Sequence, residues 1–143
     1  MSEGNKKLSR RFTELFSTGD EALADEILDP GVVFHGTLGD GELRGVDAMK
    51  AFVARYRRAF PDAHSTVEDQ VAEGDKVVTR WQARGTHRGQ LGPIAATDRE
   101  FEMNGVTIER IEEDRIAEVW VARDELALLR QLGALSEPEP AGR

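Results

Sequence analysis

Cysteine is absent from this sequence of 143 residues, as are long apolar runs and an excess of basic side chains. Without cysteine the chain has no disulfides, no thiolate nucleophile and no thiolate metal ligands, and it suits the reducing cytoplasm, where we expect the protein. No apolar run approaches the ~20 residues that span a membrane. No apolar stretch follows the N-terminal Lys6-Lys7 pair, so we expect no secretory signal and no membrane partner.

Basic residues are outnumbered, with 19 Lys and Arg against 27 Asp and Glu, which gives a formal net charge of −8. Proteins that bind nucleic acids need a basic surface to displace counterions from phosphates, so we expect no nucleic-acid partner. The three histidines show no paired spacing, so we expect no metal site, and no glycine-rich phosphate loop occurs. An apolar share of 39% and a charged share of 32% are typical of a soluble globular domain.

The length corresponds to one domain, which we place at residues 1–135. Residues 136–143 carry two prolines and alternating glutamates, which predicts a disordered tail. Within the domain, helical periodicity dominates the first sixty residues and strand periodicity the rest. The predicted helices cover about residues 5–18, 20–28, 46–59 and 124–132, and the predicted strands about 32–35, 64–73, 76–89, 100–111 and 115–123, with a loop at 36–45.

Helices followed by a meander of strands are typical of an α+β fold, in which N-terminal helices pack on a curved, mostly antiparallel sheet. One strand contains a phase change, because Phe101 and Met103 alternate on one phase and Val106 and Ile108 on the other. The slip falls at Asn104-Gly105, which predicts a β-bulge that bends the strand. Helices lying across a bent sheet leave a conical pocket at its open end, and we expect a ligand there.

Several motifs in the second half of the chain are those of one known family. They are Gly85-Thr86-His87-Arg88-Gly89, Thr97-Asp98-Arg99, Arg110-Ile111, and the run from Trp120 through Asp124-Glu125-Leu126-Ala127-Leu128-Leu129-Arg130-Gln131-Leu132-Gly133. On these motifs the sequence resembles the SnoaL-like polyketide cyclases, of the NTF2-like and ketosteroid isomerase-like superfamily, over about residues 7–133. The resemblance implies a cone-shaped α+β barrel without metal or organic cofactor, assembled as a homodimer or homotetramer.

The resemblance also implies a reaction, the closure of a ring in a small, apolar, polyketide-like substrate by intramolecular aldol condensation. In the family one aspartate just ahead of the last helix is the general acid and base, and Asp124 stands at that position. The alternation of the last strand puts Asp124 on one face with Trp120 and Ile116, where partial loss of water would raise its pKa toward a useful value. The alternative is a structural role, because aspartate is also favoured as a helix N-cap.

Two histidines are further catalytic candidates. His35 ends the first predicted strand near the expected mouth of the cone, and His87 shares a strand phase with Trp81 and Gly85. Either could orient a substrate carbonyl or assist proton transfer, and for each the alternative is a hydrogen-bonded structural histidine. The residues predicted to contact substrate are Phe34, Met49, Trp81, Asn104 and Trp120.

Two other functions remain open at this point. The chain could be a non-catalytic module of the same fold, which binds a small ligand or dimerises through the face that Val78, Arg80, Gln82 and Arg84 form. It could also open an epoxide, which would need an Asp-Arg-Asp set in the pocket. The residues available for such a set are Arg80, Arg84, Arg99 and Asp124.

Overall fold

Ten helices and strands make up the computed structural model, which describes residues 2–37 and 41–135. The helices are α1 (Ser2–Thr18), α2 (Glu21–Ile27), α3 (Val46–Ala59) and α4 (Glu125–Gln131). The strands are β1 (Leu28–Thr37), β2 (Gly41–Arg44), β3 (His64–Glu73), β4 (Lys76–Thr86), β5 (Glu100–Glu112) and β6 (Arg115–Arg123). The predicted bounds of α3, β3 and β6 are confirmed, and those of the other predicted elements differ at one or both ends.

The six strands form one open sheet in the order β2-β1-β6-β5-β4-β3. Only the β1–β6 pair is parallel, and the other four pairs are antiparallel. The four helices pack on this sheet, so the predicted α+β fold with a curved, mostly antiparallel sheet is confirmed. No helix within the described ranges is both long enough and apolar enough to cross a membrane.

Two aromatic-rich clusters hold the helices on the inner face of the sheet. In the first cluster the ring centroids of Phe34 and Phe52 lie 5.3 Å apart, and those of Phe12 and Phe34 lie 6.4 Å apart. The second cluster joins the end of α3 to α4 through Phe60 and Phe101, whose centroids are 4.6 Å apart. Buried aromatic rings contribute a large part of core stability, so these clusters fix how α1, α3 and α4 sit on the sheet.

The predicted bulge at Asn104-Gly105 is wrong. Burial alternates without interruption along β5, and the register with β4 runs unbroken through the pairs Trp81–Gly105 and Gln82–Asn104. A Cβ at Gly105 would lie 2.3 Å from Cζ2 of Trp81, so the glycine makes room for the indole ring. Val106 and Ile108 therefore lie on the outer face of the sheet.

The irregularity lies in β6 instead. Ile116 pairs with Ile111 while Glu118 pairs with Arg110, so Ala117 is one residue more than β5 matches. Ile116 and Ala117 are both buried, and the inward and outward phases exchange at this point. Trp120 consequently lies on the outer face, and the expectation that it shares a face with Ile116 is wrong.

The segment predicted as a loop at 36–45 contains β2. Leu43 of β2 pairs with Phe34 of β1, and β1 itself extends beyond the predicted 32–35 to residues 28–37. Pairing with a neighbour overrides the weak strand preference of a glycine-rich segment. The predicted tail at 136–143 lies outside the described residues.

Candidate active site

Two adjacent cavities lie on the inner side of the sheet, between the two aromatic clusters. We call them the inner chamber, of about 40 Å³, and the outer basin, of about 660 Å³. Both are lined by Tyr56, Met103 and Arg123, which we call the junction. The inner chamber is otherwise lined by Phe12, Thr13, Phe16, Phe34, Ser65, Trp81, Thr107 and Val121. The outer basin is otherwise lined by Phe52, Arg55, Arg58, Phe60, Gln90, Leu91, Gly92, Pro93, Ile94, Leu128 and Leu129.

Aromatic rings dominate the inner chamber. Two of the predicted substrate contacts, Phe34 and Trp81, lie in its wall. The indole Nε1 of Trp81 donates a hydrogen bond of 2.7 Å to Thr107 Oγ1, which fixes the ring and satisfies the hydroxyl oxygen. The inner chamber is therefore a narrow and largely apolar cavity.

Arg123 is the charged residue of the junction, and sequence reasoning missed it. It ends β6, and only 7% of its side chain is exposed. Its Nε lies 3.2 Å from Glu125 Oε1 and its Nη2 donates to the carbonyl oxygen of Gly36 at 3.2 Å. The guanidinium carbon lies 5.7 Å from the centroid of the Phe52 ring, within the range of a cation–π contact. Val119, Val121 and Arg123 alternate on one phase of β6, and the register of β6 with β5 is what turns this phase inward.

Tyr56 brings a neutral hydroxyl to the same junction. It lies on α3 opposite the sheet, and its ring packs edge-on against Phe16 at 5.7 Å. Burial raises the pKa of the Tyr56 phenol to about 12, although the nearby Arg123 and a hydrogen bond with Ser65 act in the opposite direction. The phenol therefore stays protonated at neutral pH and can donate a hydrogen bond to a ligand.

Asp124 lies in the wall of neither cavity. It is exposed, and its Oδ1 accepts the Ala127 backbone N–H at 3.0 Å, so it is the N-cap of α4. The expectation that Asp124 would be shielded from water beside Trp120 and Ile116 is wrong, because the extra residue in β6 turns Trp120 away from Ile116 to the outer face and Asp124 is exposed. Asp124 is nevertheless flanked in the chain by the cavity-lining Arg123 and by α4, whose Leu128 and Leu129 line the basin.

His35 is placed on the outer face of the sheet, opposite the cavities. Its ring stacks on Trp120 with the centroids 5.5 Å apart, and its Nε2 donates to Glu118 Oε2 at 2.7 Å. The hydrogen bond from His35, together with one from Arg110, lowers the pKa of the Glu118 carboxyl. The expectation that His35 lies at the mouth of the cone is therefore wrong, as is that of a pocket contact for Trp120.

His87 is fully buried behind the wall of the outer basin. Its Nδ1 accepts the backbone N–H of Thr97 at 3.3 Å and lies 3.0 Å from Thr97 Oγ1, while its ring packs 5.6 Å from Phe60. His87 Nε2 is buried without a hydrogen-bond partner within the described ranges. This environment is that of a structural histidine.

The remaining predicted contacts lie outside the cavity walls. Met49 is fully buried in the first aromatic cluster. Asn104 is exposed on the outer face, and its backbone carbonyl oxygen accepts the backbone N–H of Asp124 at 3.1 Å. Within residues 2–37 and 41–135, no three His, Asp or Glu side chains are grouped so that they could hold a metal ion.

Comparison with known proteins places this geometry in a family. The family model for the SnoaL-like polyketide cyclases matches residues 6–132. Aklanonic acid methyl ester cyclase DauD of Streptomyces sp. (strain C5) is 32% identical over 139 residues, which cover 93% of this chain and 82% of that protein. Aklanonic acid methyl ester cyclase DnrD of Streptomyces peucetius is also 32% identical, over 93% of this chain and 91% of that protein.

Solved structures agree with the sequence comparison. TsrD from Streptomyces laurentii superposes with a TM-score of 0.84 and 32% identity, over 93% of this chain and 97% of that one. IdmH from Streptomyces antibioticus superposes with a TM-score of 0.78 and 30% identity, over 90% of this chain and 98% of that one. The chain therefore belongs to the SnoaL-like polyketide cyclase family.

Proposed function

We propose that this protein is a polyketide cyclase that closes a ring in its substrate by proton transfer and without a cofactor. The observation that carries the proposal is the cavity itself, found in a chain of this family. The outer basin, at about 660 Å³, lies within the range of roughly 300–1,000 Å³ that small-molecule sites occupy. The rings of a polyketide would fill the basin, and a slender apolar group would enter the inner chamber.

Asp124 is the proposed general base and acid. It would take a proton from a carbon between two carbonyl groups, and that carbon would attack a ketone of the same molecule as the new C–C bond forms. The resulting alkoxide would then take the proton back from Asp124, so that no other reactant is needed. Two observations support Asp124 as the base: it lies in the chain between Arg123 and α4, both of which line the outer basin, and it stands within the family motif.

Substitution of Asp124 by asparagine tests the proposal. Asparagine caps helices about as well as aspartate, so Asp124→Asn removes the base and retains the N-cap bond. The matched control is Asp20→Asn, because Asp20 is the N-cap of α2 and accepts the Ala22 N–H at 3.0 Å. We expect wild type and Asp20→Asn to convert a methyl-ester polyketide, followed by mass spectrometry. Asp124→Asn should lose about 10²-fold or more of that rate.

The possible results distinguish the role of Asp124 from the cyclase activity itself. Full turnover by Asp124→Asn would remove Asp124 from the mechanism and leave the cyclase proposal standing. Absence of turnover by wild type on polyketide esters that bind in the cavity would contradict the cyclase proposal.

A non-catalytic binding module is the second candidate. It is favoured by one observation, that no Asp, Glu or His among the described residues lines either cavity. A cavity that binds polyketide esters without converting them would support this function. An epoxide-opening reaction has no such support, because Arg80 and Arg84 form exposed ion pairs with Glu68 and Glu102.

We also infer that two copies of the chain associate through the outer face of the sheet. Strand register aligns an apolar row across four strands on that face, and the His35 ring stacks on its last member, Trp120. The row consists of Val71, Val78, Ile108 and Trp120. Val71 is 63% exposed and Val78 and Ile108 are each 36% exposed, so a partner would remove substantial apolar area from water.

A further inference from the structure

The charged side chains that line the two cavities are cationic, whereas the molecule as a whole is acidic. The chain as a whole carries a formal net charge of −8, with 27 acidic residues against 19 basic ones. The ionisable side chains that line the two cavities are Arg55, Arg58, Arg123 and the phenol Tyr56, and no acidic side chain lines them in the described ranges. A cationic lining inside an acidic protein favours an anion over a neutral ligand of the same shape.

Arg123 is the cation that a ligand would meet at the junction. A guanidinium has five N–H donors. In the part of the chain that the structure describes, Arg123 uses its Nε toward Glu125 and one N–H of Nη2 toward Gly36. Donors remain for a ligand oxygen, and the small exposed fraction of the side chain places them in a setting where an electrostatic contact is stronger than in water.

The neutralisation of Arg123 is also incomplete. Its acidic partner Glu125 makes a single contact, at the Nε, and 35% of that carboxylate side chain is exposed to water. Tyr56, on α3, adds an uncharged O–H donor to the same junction. A guanidinium and a phenol that line one cavity are suited to an oxygen that carries negative charge.

We propose that the junction binds an oxyanion, with the negatively charged oxygen on Arg123 and Tyr56 and an apolar ring system in the outer basin; in the proposed reaction this oxygen is the substrate carbonyl oxygen that becomes the enolate oxygen. This inference rests on the proposed function and names the charge that its site stabilises. For ring closure it has a direct consequence: as Asp124 takes the α-proton, the electron pair of the broken C–H bond moves onto the oxygen that faces Arg123. The cation would therefore stabilise the enolate as it forms.

Binding of a matched pair of probes, 2-naphthoate and 2-naphthamide, tests the inference without any turnover. The two molecules share a ring system and differ by the charge of one group. By isothermal titration calorimetry we expect wild type to bind the naphthoate about tenfold or more tightly than the amide, a preference that weakens at high salt. Arg123→Gln should lose that preference, and Arg84→Gln, which removes an equal charge from the outer face, should keep it.

Arg123→Gln could lose binding simply because it does not fold, so a second variant, Glu125→Gln, tests the inference with Arg123 in place. Removal of the competing carboxylate frees the Arg123 Nε and should strengthen naphthoate binding about two- to fivefold, with little change for the amide. Equal affinity of the wild type for both probes, or no binding of the naphthoate at millimolar concentration, would overturn the inference. Turnover without an anion preference would overturn this inference alone, whereas an anion preference without turnover would count against the proposed function alone.

Discussion

Glu109 is a carboxylic acid enclosed in the interior between α1 and the sheet. A chain of hydroxyl groups reaches it: Gln70 Nε2 donates to Thr79 Oγ1 at 3.1 Å, Thr79 and Ser9 hydroxyls lie 2.6 Å apart, and Ser9 Oγ donates to Glu109 Oε1 at 2.8 Å. Glu109 Oε2 is buried without a partner in the described ranges. Burial raises the pKa of Glu109 from about 4.5 to about 8, against the opposing effect of the Ser9 bond.

The raised pKa of Glu109 makes folding stability depend on pH. Between about pH 4.5 and pH 8 the folded protein holds a proton that the unfolded chain has released, so the free energy of unfolding should fall as pH rises through this window. The slope attributable to one such group is at most about 1.4 kcal/mol per pH unit. Urea unfolding of wild type and Glu109→Gln from pH 5 to 9 measures it.

The Glu109→Gln variant, which has no proton to release, should lose this part of the slope and be the more stable protein above pH 8. Glu102→Gln, on the exposed face of the same strand, should keep the wild-type slope. Parallel profiles for wild type and Glu109→Gln would show that the Glu109 carboxyl titrates at its ordinary value.

At the scale of the element, the sequence predicts the bounds of helices and strands more accurately than the direction in which their side chains point. The bounds of α3 and β3 are predicted because local punctuation sets them: Gly45 precedes α3, Pro61-Asp62 follows it, and Gly74-Asp75 turns β3 into β4. The facing of β6 depends on its register with β5, which no local pattern encodes. One extra residue at Ala117 reverses the faces of every later side chain in that strand.

The same limit explains the outcome at the site. Phe34 and Trp81 are predicted as cavity residues because they are large apolar side chains on predicted strands, and both line the inner chamber. Arg123 was missed and Trp120 misplaced because the reversal at Ala117 was not visible. A glycine inside a strand marks either a bulge or a close approach by another group, and the group that approaches Gly105 is Trp81, 24 positions away in the sequence (105 minus 81).

Gly105→Ala tests that packing. The added methyl would lie within 2.3 Å of the Trp81 ring, so the indole must move and its bond to Thr107 must lengthen or break. We expect a loss of about 1–3 kcal/mol in the free energy of unfolding, the usual scale for overpacking. Gly4→Ala is the matched control, because nothing lies within 4 Å of its added methyl, and it should be neutral or stabilising. Thermal unfolding compares the two, and a wild-type melting temperature for Gly105→Ala would contradict this account.

At the scale of the whole molecule, the two faces of the sheet differ in what they present. The inner face, with the helices, encloses the cavities, and the outer face presents the apolar row together with ion pairs such as Arg80–Glu68. An apolar row rimmed by charges is typical of an interface, because the centre loses water while the rim stays hydrated. Its place on the far side of the sheet leaves the mouth of the cavities open in a dimer.

Ile108→Glu tests the dimer. Ile108 lies in the middle of the row, paired with Val78 on one side and Trp120 on the other, so a carboxylate there would lose its water on association. By light scattering coupled to gel filtration, we expect wild type at twice the chain mass of 15.8 kDa and Ile108→Glu at the mass of one chain. Leu126→Glu places the same charge on α4, where Leu126 is 50% exposed, and should leave the dimer intact. A monomeric wild type at micromolar concentration would contradict the association, whereas a dimeric Ile108→Glu would move the interface to another surface.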